Sequence, residues 1–436
     1  MKDGARSEDP AVQAQLDRLE ALGHGGDRSA QQLGVMRALM GALDDPQDRL
    51  PPVFHVAGTN GKGSIIAFLR AGLEAAGKRV HVFTSPHLVR FNERIRLNGD
   101  LIDDTALAPL LEEVLDIAER DAIAPSFFEA TTAAAFLAIS REPADALLLE
   151  VGMGGRLDAT NLVDRPAATG IAALGLDHTR WLGDTLPAIA REKAGIAKRG
   201  VPLVVQRQAP AAMDAIEDVA KGIGAFLFVQ DRDWHVERRG ERLLYRGMQS
   251  LECEAPLLKG AHQDDNAGLA LAMLDFQARL DLRLEETRPM TRFARWPARL
   301  QSIDHGNLRD RLPPDTSLLL DGAHNAEAAR AVARAVAGRR LHIVAGVLAN
   351  RDPSAILSPF ARHMKSFTAV PIPGHDHHAP AALASIVDGT DSAAAGDLVA
   401  AFDRVAALAS RGDTVLVLGS LYLAGAMLAA NGTPPT

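Results

Sequence analysis

The sequence predicts an α/β protein of two units. The N-terminal unit, residues 1–294, is expected to carry a phosphate-binding loop on a doubly wound, mostly parallel sheet. The smaller C-terminal unit, residues 295–436, is expected to be a Rossmann-like α/β layer. Three observations carry this. Short apolar segments alternate with helical stretches from about residue 53 to 230, the pattern of parallel βαβ units. A glycine-rich turn follows the first apolar segment. An arginine- and proline-rich stretch at 292–314 interrupts the pattern, which then restarts.

In chain order, strands are expected at 53–57, 79–84, 146–151, 168–173 and 202–205. Each is a run rich in Val, Leu and Ala, as in strands covered on both faces. Residues 231–251 differ, with Trp234, Val236 and Leu243-Leu244-Tyr245 set among arginines. They read as short antiparallel strands appended to the main sheet. A long helix is expected over 262–280. The junction is placed near Phe293-Ala294-Arg295-Trp296-Pro297. Beyond it come strands at 317–320, 341–345, 367–370 and 414–418, with helices at 326–336 and 396–409.

Composition narrows the function classes. The chain has 436 residues, 47% hydrophobic but only 4% aromatic, enough for two cores packed mainly by aliphatic side chains. A formal charge of −8, without an aromatic-laced basic run, argues against nucleic acid as a partner. One cysteine, Cys253, excludes an internal disulfide and a cysteine-built zinc site. The N-terminus is polar and lacks the apolar core of a signal peptide. The uncharged stretch 414–430 is broken by Gly419-Ser420 and Gly425, so a strand, turn and packed helix explain it better than a membrane span. A cytoplasmic monomer without membrane contact is expected.

The most informative segment is Ala57-Gly58-Thr59-Asn60-Gly61-Lys62-Gly63-Ser64, between a strand and a helix expected over 65–76. Its glycines let successive N–H groups face one anion. The helix N-terminus and Lys62 add positive charge, and Ser64 offers a hydroxyl for Mg²⁺. Against the common G-x-x-x-x-G-K-[ST] pattern this loop lacks the first glycine and inserts Gly63 between lysine and serine. Gly58 to Ser64 are therefore expected to hold a nucleoside triphosphate.

Metal ligands near the phosphates should come from the carboxyl ends of neighbouring strands. Glu150 follows Leu147-Leu148-Leu149, and His178 ends Gly175-Leu176-Asp177. Ser64, Glu150 and His178 are the candidate ligand set. The alternatives are a salt-bridged strand end for Glu150 and an ordinary loop histidine for His178. Gly152-Met153-Gly154-Gly155-Arg156-Leu157 suggests a dinucleotide fingerprint, but Leu157 stands where its third glycine is needed. A backbone passing close to a ligand, with Arg156 and Asp158 reaching into it, is the better reading. Lys193 reads as a surface helix lysine. Asp321 and His324 stand at a strand's carboxyl edge facing the interdomain cleft, and Asn325 suits a helix N-cap. The histidines of Gly374-His375-Asp376-His377-His378 read as a solvated loop rather than a metal site.

Together these segments resemble the folylpolyglutamate synthase/dihydrofolate synthase family of the Mur ligase superfamily. The phosphate loop, Thr84-Ser85-Pro86-His87-Leu88, Phe91-Asn92-Glu93-Arg94-Ile95 and Glu150 to Asn161 carry the resemblance. So do Leu176-Asp177-His178, Glu192-Lys193-Ala194-Gly195-Ile196, His262-Gln263, Trp296-Pro297-Ala298-Arg299, Asp321 to Asn325 and Gly419-Ser420-Leu421-Tyr422, in order over about 53 to 423. The resemblance implies an ATP-dependent ligase adding L-glutamate to dihydropteroate, to tetrahydrofolate, or to both, through an acyl phosphate. A folate-only enzyme or another Mur-type amide ligase is the alternative.

The resemblance also implies roles. Ser64 and Glu150 would hold one Mg²⁺ and His178 a second. Lys193 would be carbamylated, and Lys62, His178 and Lys193 would serve the chemistry. Asn266, Arg299 and Asp321 would contact the nucleotide with His324 close by. Phe128 and Ala159 would line a pterin pocket. Two positions depart from the family pattern. Trp-Pro-Gly-Arg is Trp296-Pro297-Ala298-Arg299, and Asp-Lys-Asp is Asn350-Arg351-Asp352.

Overall fold

A computed structural model describes residues 5–23, 32–387 and 390–436. Met1 to Gly4, the start of the polar N-terminal stretch, lie outside the described residues. The first sheet has eight strands: β1 (Val53–Ala57), β2 (Val80–Phe83), β3 (Ile95–Leu97), β4 (Asp100–Leu101), β5 (Ala146–Glu150), β6 (Ala168–Ile171), β7 (Pro202–Val205) and β8 (Phe226–Val229). Their order is β4-β3-β2-β5-β1-β6-β7-β8. β1, β2, β5, β6, β7 and β8 run parallel, while β3 is antiparallel to β2 and to β4.

The chain moves to one side of β1 for β2 and to the other for β6, so a crevice opens at the carboxyl ends of β5, β1 and β6. β1 and β5 are buried at every position, which explains their unbroken apolar runs. Helix Lys62–Ala75 covers one face, joined there by helix His262–Phe276, and helix Phe127–Arg141 lies in the core on the other.

Residues 231–251 are not appended to the main sheet. They belong to a separate antiparallel sheet of β9 (His235–Arg239), β10 (Arg242–Arg246) and β11 (Ser250–Glu254). Leu243, Tyr245, Leu251 and Cys253 alternate inward, and with Trp234 they join the core around helix His262–Phe276. The strand expectation also missed β3, β4 and β8, because two are very short and Phe226-Leu227-Phe228 is half exposed.

The second large sheet comprises β12 (Gln301–Ser302), β13 (Ser317–Leu320), β14 (Leu341–Ala345), β15 (Met364–Ala369), β16 (Asp391–Ala394) and β17 (Thr414–Leu418), ordered β12-β13-β17-β14-β15-β16. All pairs are parallel except the edge pair β12–β13. The uncharged 414–430 stretch forms β17 and part of helix Leu421–Asn431. Among the described residues no helix is long and apolar enough to cross a membrane.

The connector between the large sheets contains Ala298 at φ 52° and Leu300 at φ 45°. Left-handed backbone costs a non-glycine residue roughly 1–2 kcal/mol, which gives a physical reason for the glycine expected at position 298. Ala298→Gly should therefore stabilise the protein by about 0.5–1 kcal/mol, net of glycine's greater unfolded-state entropy. A urea midpoint that falls would contradict this. Gly268 gives the opposite case: an added Cβ would lie 2.8 Å from Val236 and 3.0 Å from Trp234. Gly268→Leu should cost at least about 1–3 kcal/mol by overpacking, and an unchanged midpoint would show that the β9–β11 sheet does not pack there.

Candidate functional site

A cleft of about 1660 Å³ runs between the carboxyl ends of the two large sheets. Every residue nominated from the sequence lines it except Arg156. Its floor is the loop after β1. Gly61, at φ 90°, turns the chain into helix Lys62–Ala75, which starts three residues earlier than expected and brings Lys62 into the first helical turn. Thr59 N and Asn60 N both donate to Ala173 O, at 3.0 and 3.3 Å, tying the loop to the segment after β6. Gly63 has a steric role: an added Cβ would lie 2.5 Å from the Trp296 indole. The connector between the sheets therefore packs directly on the phosphate loop. Ser64 lies one residue beyond, buried at the base of the cleft.

Two lysines converge on one carbonyl. Lys62 Nζ donates to Gly58 O at 3.2 Å and Lys193 Nζ donates to the same oxygen at 2.9 Å. Lys193 is buried rather than on the surface. It shares the inward face of helix Leu186–Ala194 with Ile189, Ala190 and Ala194, and Ile196 beyond the helix packs with Ala57 and Val151. Burial, reinforced by the charge of Lys62, pushes the Lys193 ammonium down to about 7.

Glu150 ends β5 beside Val56. Its Oε1 is 4.0 Å from Lys62 Nζ and its Oε2 accepts a 3.3 Å hydrogen bond from Ser85 N. Burial raises its pKa against the pull of Lys62.

His178 occupies a left-handed position, φ 51°, in the loop after β6. Its ring is 43% exposed to the cleft. Partial burial, helped by Arg351, Lys62 and Lys193, pushes it down to about 4 against the pull of Asp177, although the water around the ring moderates the shift. The imidazole is therefore neutral near pH 7 and able to act as a ligand. Among the described residues no three His, Cys, Asp or Glu side chains gather as a metal cluster. Ser64, Glu150 and His178 fit Mg²⁺ all the same, since that ion uses few protein ligands and completes its shell with phosphate and water oxygens.

The opposite wall comes from the second large sheet. Asp321 is buried and accepts Leu300 N through Oδ2 and Ala323 N through Oδ1, both at 2.8 Å. It thereby sets the turn that carries Arg299, whose charge offsets part of the burial that raises the Asp321 pKa. His324 Nδ1 lies 2.9 Å from Gly322 O, and its Nε2 faces Asp177 at 3.7 Å. Asn325 caps helix Ala326–Ala335 by accepting Ala328 N, and also donates to Asn60 Oδ1 at 3.1 Å. It therefore caps its helix and ties that helix to the phosphate loop. Asn266 is buried beside Gly61, accepting from Gln206 Nε2 and donating to Gln263.

At the far end Phe128 packs over Gly152, with its ring 6.2 Å from Phe83, near buried Ala159. Asp158 lines the cleft, while its carboxylate accepts Met153 N at 2.8 Å and the Thr160 hydroxyl at 2.5 Å. Arg156 corrects the sequence reading. Its N–H docks on Glu192 O at 2.8 Å, which turns the side chain outward into an exposed ion pair with Glu192. The histidines of 374–378 diverge: His375 stacks on Tyr422 at 3.7 Å, His377 faces its own loop at His375 O, and His378 Nε2 lies 2.9 Å from Arg351 O. The sequence reading also missed the ion pair between Arg351 and Asp177, which joins loops of the two sheets. No local pattern announces it.

Comparison with known proteins agrees with this geometry. A family model described as the Mur ligase glutamate ligase domain matches residues 309–421. The dihydrofolate synthase/folylpolyglutamate synthase of Escherichia coli K12 is 32% identical over 402 residues, covering 91% of this chain and 89% of that protein. A probable bifunctional folylpolyglutamate synthase/dihydropteroate synthase of Halobacterium salinarum is 34% identical over 400 residues. That match covers 88% of this chain and 47% of that protein, so the chain spans about half its length. Among solved structures, the Mycobacterium tuberculosis folylpolyglutamate synthase complexed with ADP superposes with a TM-score of 0.87 at 30% identity, over 98% of this chain and 99% of that one. A bifunctional folylpolyglutamate synthase/dihydrofolate synthase with Mn, AMPPNP and L-glutamate bound gives 0.84 at 31%, over 97% and 98%. The chain belongs to the folylpolyglutamate synthase/dihydrofolate synthase family.

Proposed function

We propose that this protein is an ATP-dependent ligase that joins L-glutamate to dihydropteroate, to tetrahydrofolate, or to both. The observation that carries this reading is the convergence of Lys62 and Lys193 on Gly58 O, with Glu150 4.0 Å from Lys62, on the floor of a cleft whose other wall holds Arg299, Asp321 and His324. The nucleotide, metal and glutamate bound by the solved relative described above support it.

A carboxylate resists attack by an amine, so its oxygen is first phosphorylated by ATP. Lys62 and the loop from Gly58 to Ser64 would hold the phosphates and offset their charge. Ser64 and Glu150 would hold one Mg²⁺ and His178 a second, which would supply further charge neutralisation. Asn266, Arg299 and Asp321 would fix the nucleotide across the cleft. The glutamate amine then attacks the acyl carbon, and phosphate leaves. Phe128, Asp158 and Ala159 would receive the pterin end.

Lys193 is proposed to be carbamylated. Carbon dioxide adds only to a neutral amine, and an amine near pKa 7 is neutral for a large fraction of the time at physiological pH. The product is an anion, which removes the repulsion between two ammonium groups around one carbonyl. It would also complete the metal surroundings, with a second Mg²⁺ near His178. A division into units 1–294 and 295–436 that close on the substrates, and a monomeric state, belong to the same proposal.

Lys62→Ala should reduce ADP release in the presence of acceptor and L-glutamate by about 10²–10³-fold while leaving the circular dichroism spectrum unchanged. Wild-type turnover in that variant would remove the phosphate-loop assignment. Comparing dihydropteroate with tetrahydrofolate in the same assay decides which acceptor is used.

Protein equilibrated with ¹³C-bicarbonate should show a carbamate carbon signal that disappears in Lys193→Ala, and a short carboxylic acid should partly restore activity to that variant. Below about pH 7 Lys193 is protonated and cannot take up carbon dioxide, so signal and activity should fall together on acidification. A signal that persists in Lys193→Ala would place the modification elsewhere.

A further inference from the structure

Asp177 is where the loops of the two large sheets meet. It lies in the 174–178 loop after β6 with a side chain only 7% exposed. The Arg351 Nη1 group, from the loop after β14, donates to its Oδ1, while His324 Nε2 faces its Oδ2 at 3.7 Å and His178 Nε2 stands 4.0 Å from Oδ1. The imidazoles are too distant for strong hydrogen bonds. The guanidinium is the permanently charged partner that touches this buried carboxylate, and a buried charge that loses its partner is strongly unfavourable.

Arg351 is itself held from behind. Its N–H donates to Leu348 O at 3.0 Å, and its carbonyl accepts from His378 Nε2 at 2.9 Å. Ala349 N donates to Asp376 O and His378 N to Val347 O, so the histidine-rich loop buttresses the Arg351 turn. On the other side, Gly175 leaves Glu327 room to approach, and His178 is fixed next to Asp177 by its own N–H, 2.8 Å from Asp177 Oδ1, in a left-handed setting. A continuous path therefore runs from His378 through Arg351 and Asp177 to the backbone that orients His178.

We propose that Arg351 is a positioning residue: by clamping Asp177 across the cleft it locks the 174–178 loop, and with it His178, in the setting that ligation requires. The clamp forms only when the loop after β14 is docked against the first sheet. It thus makes competence of the site conditional on closure of the two units. This rests on the ligase reading for its kinetic consequence but not for its structural one.

The test uses Arg351→Ala, Arg351→Lys, Asp177→Asn and the Ala/Asn double variant. Arg351→Ala should lower kcat about 10- to 100-fold through misplacement of the loop, with the Kd for ADP measured without metal, set by the phosphate loop with Asn266, Arg299 and Asp321, within about 3-fold of wild type. Arg351→Lys should recover part of kcat, since it keeps the charge but not the planar fork. The double variant should be no worse than the poorer single one, as expected of one coupled pair. Amide hydrogen exchange should accelerate over residues 174–178 in Arg351→Ala and stay unchanged over 58–64.

Wild-type kcat in Arg351→Ala, a parallel collapse of nucleotide affinity, multiplicative losses in the double variant, or unaltered exchange at 174–178 would each overturn the proposal. Should the wild type ligate neither acceptor, the ligase reading falls. The exchange result still decides the clamp.

Discussion

The electrostatics of the cleft depend on a single backbone oxygen. Gly58 O receives both Lys62 and Lys193, two cations brought together by a loop and by a helix that lies more than 120 residues further along the chain. Two like charges at that distance are unfavourable unless something answers them. Glu150 answers in part from 4.0 Å. Suppressed protonation of Lys193 is the other part. The floor is therefore a cationic surface suited to polyanionic phosphates, and the carbamate proposed on Lys193 would turn one of its two lysines into an anion.

That floor is coupled to the rest of the molecule by packing. Trp296, in the connector, sits on Gly63, so the extra glycine that makes the loop look irregular is the contact point between the phosphate loop and the connector of the two large sheets. Asp321 then uses both carboxylate oxygens to shape the turn carrying Arg299. Asn60 and Asn325 join the phosphate loop to the first turn of the opposing helix. The two walls share short, specific contacts at the positions that would surround the transferred phosphoryl group.

Much of this was legible in the sequence. The apolar runs that gave β1, β5, β6, β7, β13, β14 and β17 are buried on both faces, so composition alone marks them. Gly58 to Ser64, Glu150, His178 and Asp321 were readable because chemistry at strand ends follows from parallel topology. Lys193 was the instructive failure. The spacing of Ile189, Ala190, Lys193 and Ala194 places it on the apolar stripe of its helix, yet base rates for lysine pointed outward. Arg156 erred the other way, since only the docking of its backbone on Glu192 shows that its side chain faces solvent. Asp177 and Arg351 are 174 residues apart. Long-range pairs of that kind leave no periodicity or motif.

The central claim is that the acceptor carboxylate is activated as an acyl phosphate over this floor. The most direct measurement uses an acceptor labelled with ¹⁸O in its carboxylate, together with ATP and L-glutamate, followed by mass analysis of the released inorganic phosphate. Phosphorylation of the carboxylate places one of its oxygens in the P–O bond that survives when the amine expels phosphate. The account therefore predicts one ¹⁸O atom in the phosphate formed with each amide. Phosphate free of ¹⁸O, or ADP formed at the same rate without acceptor, would contradict it.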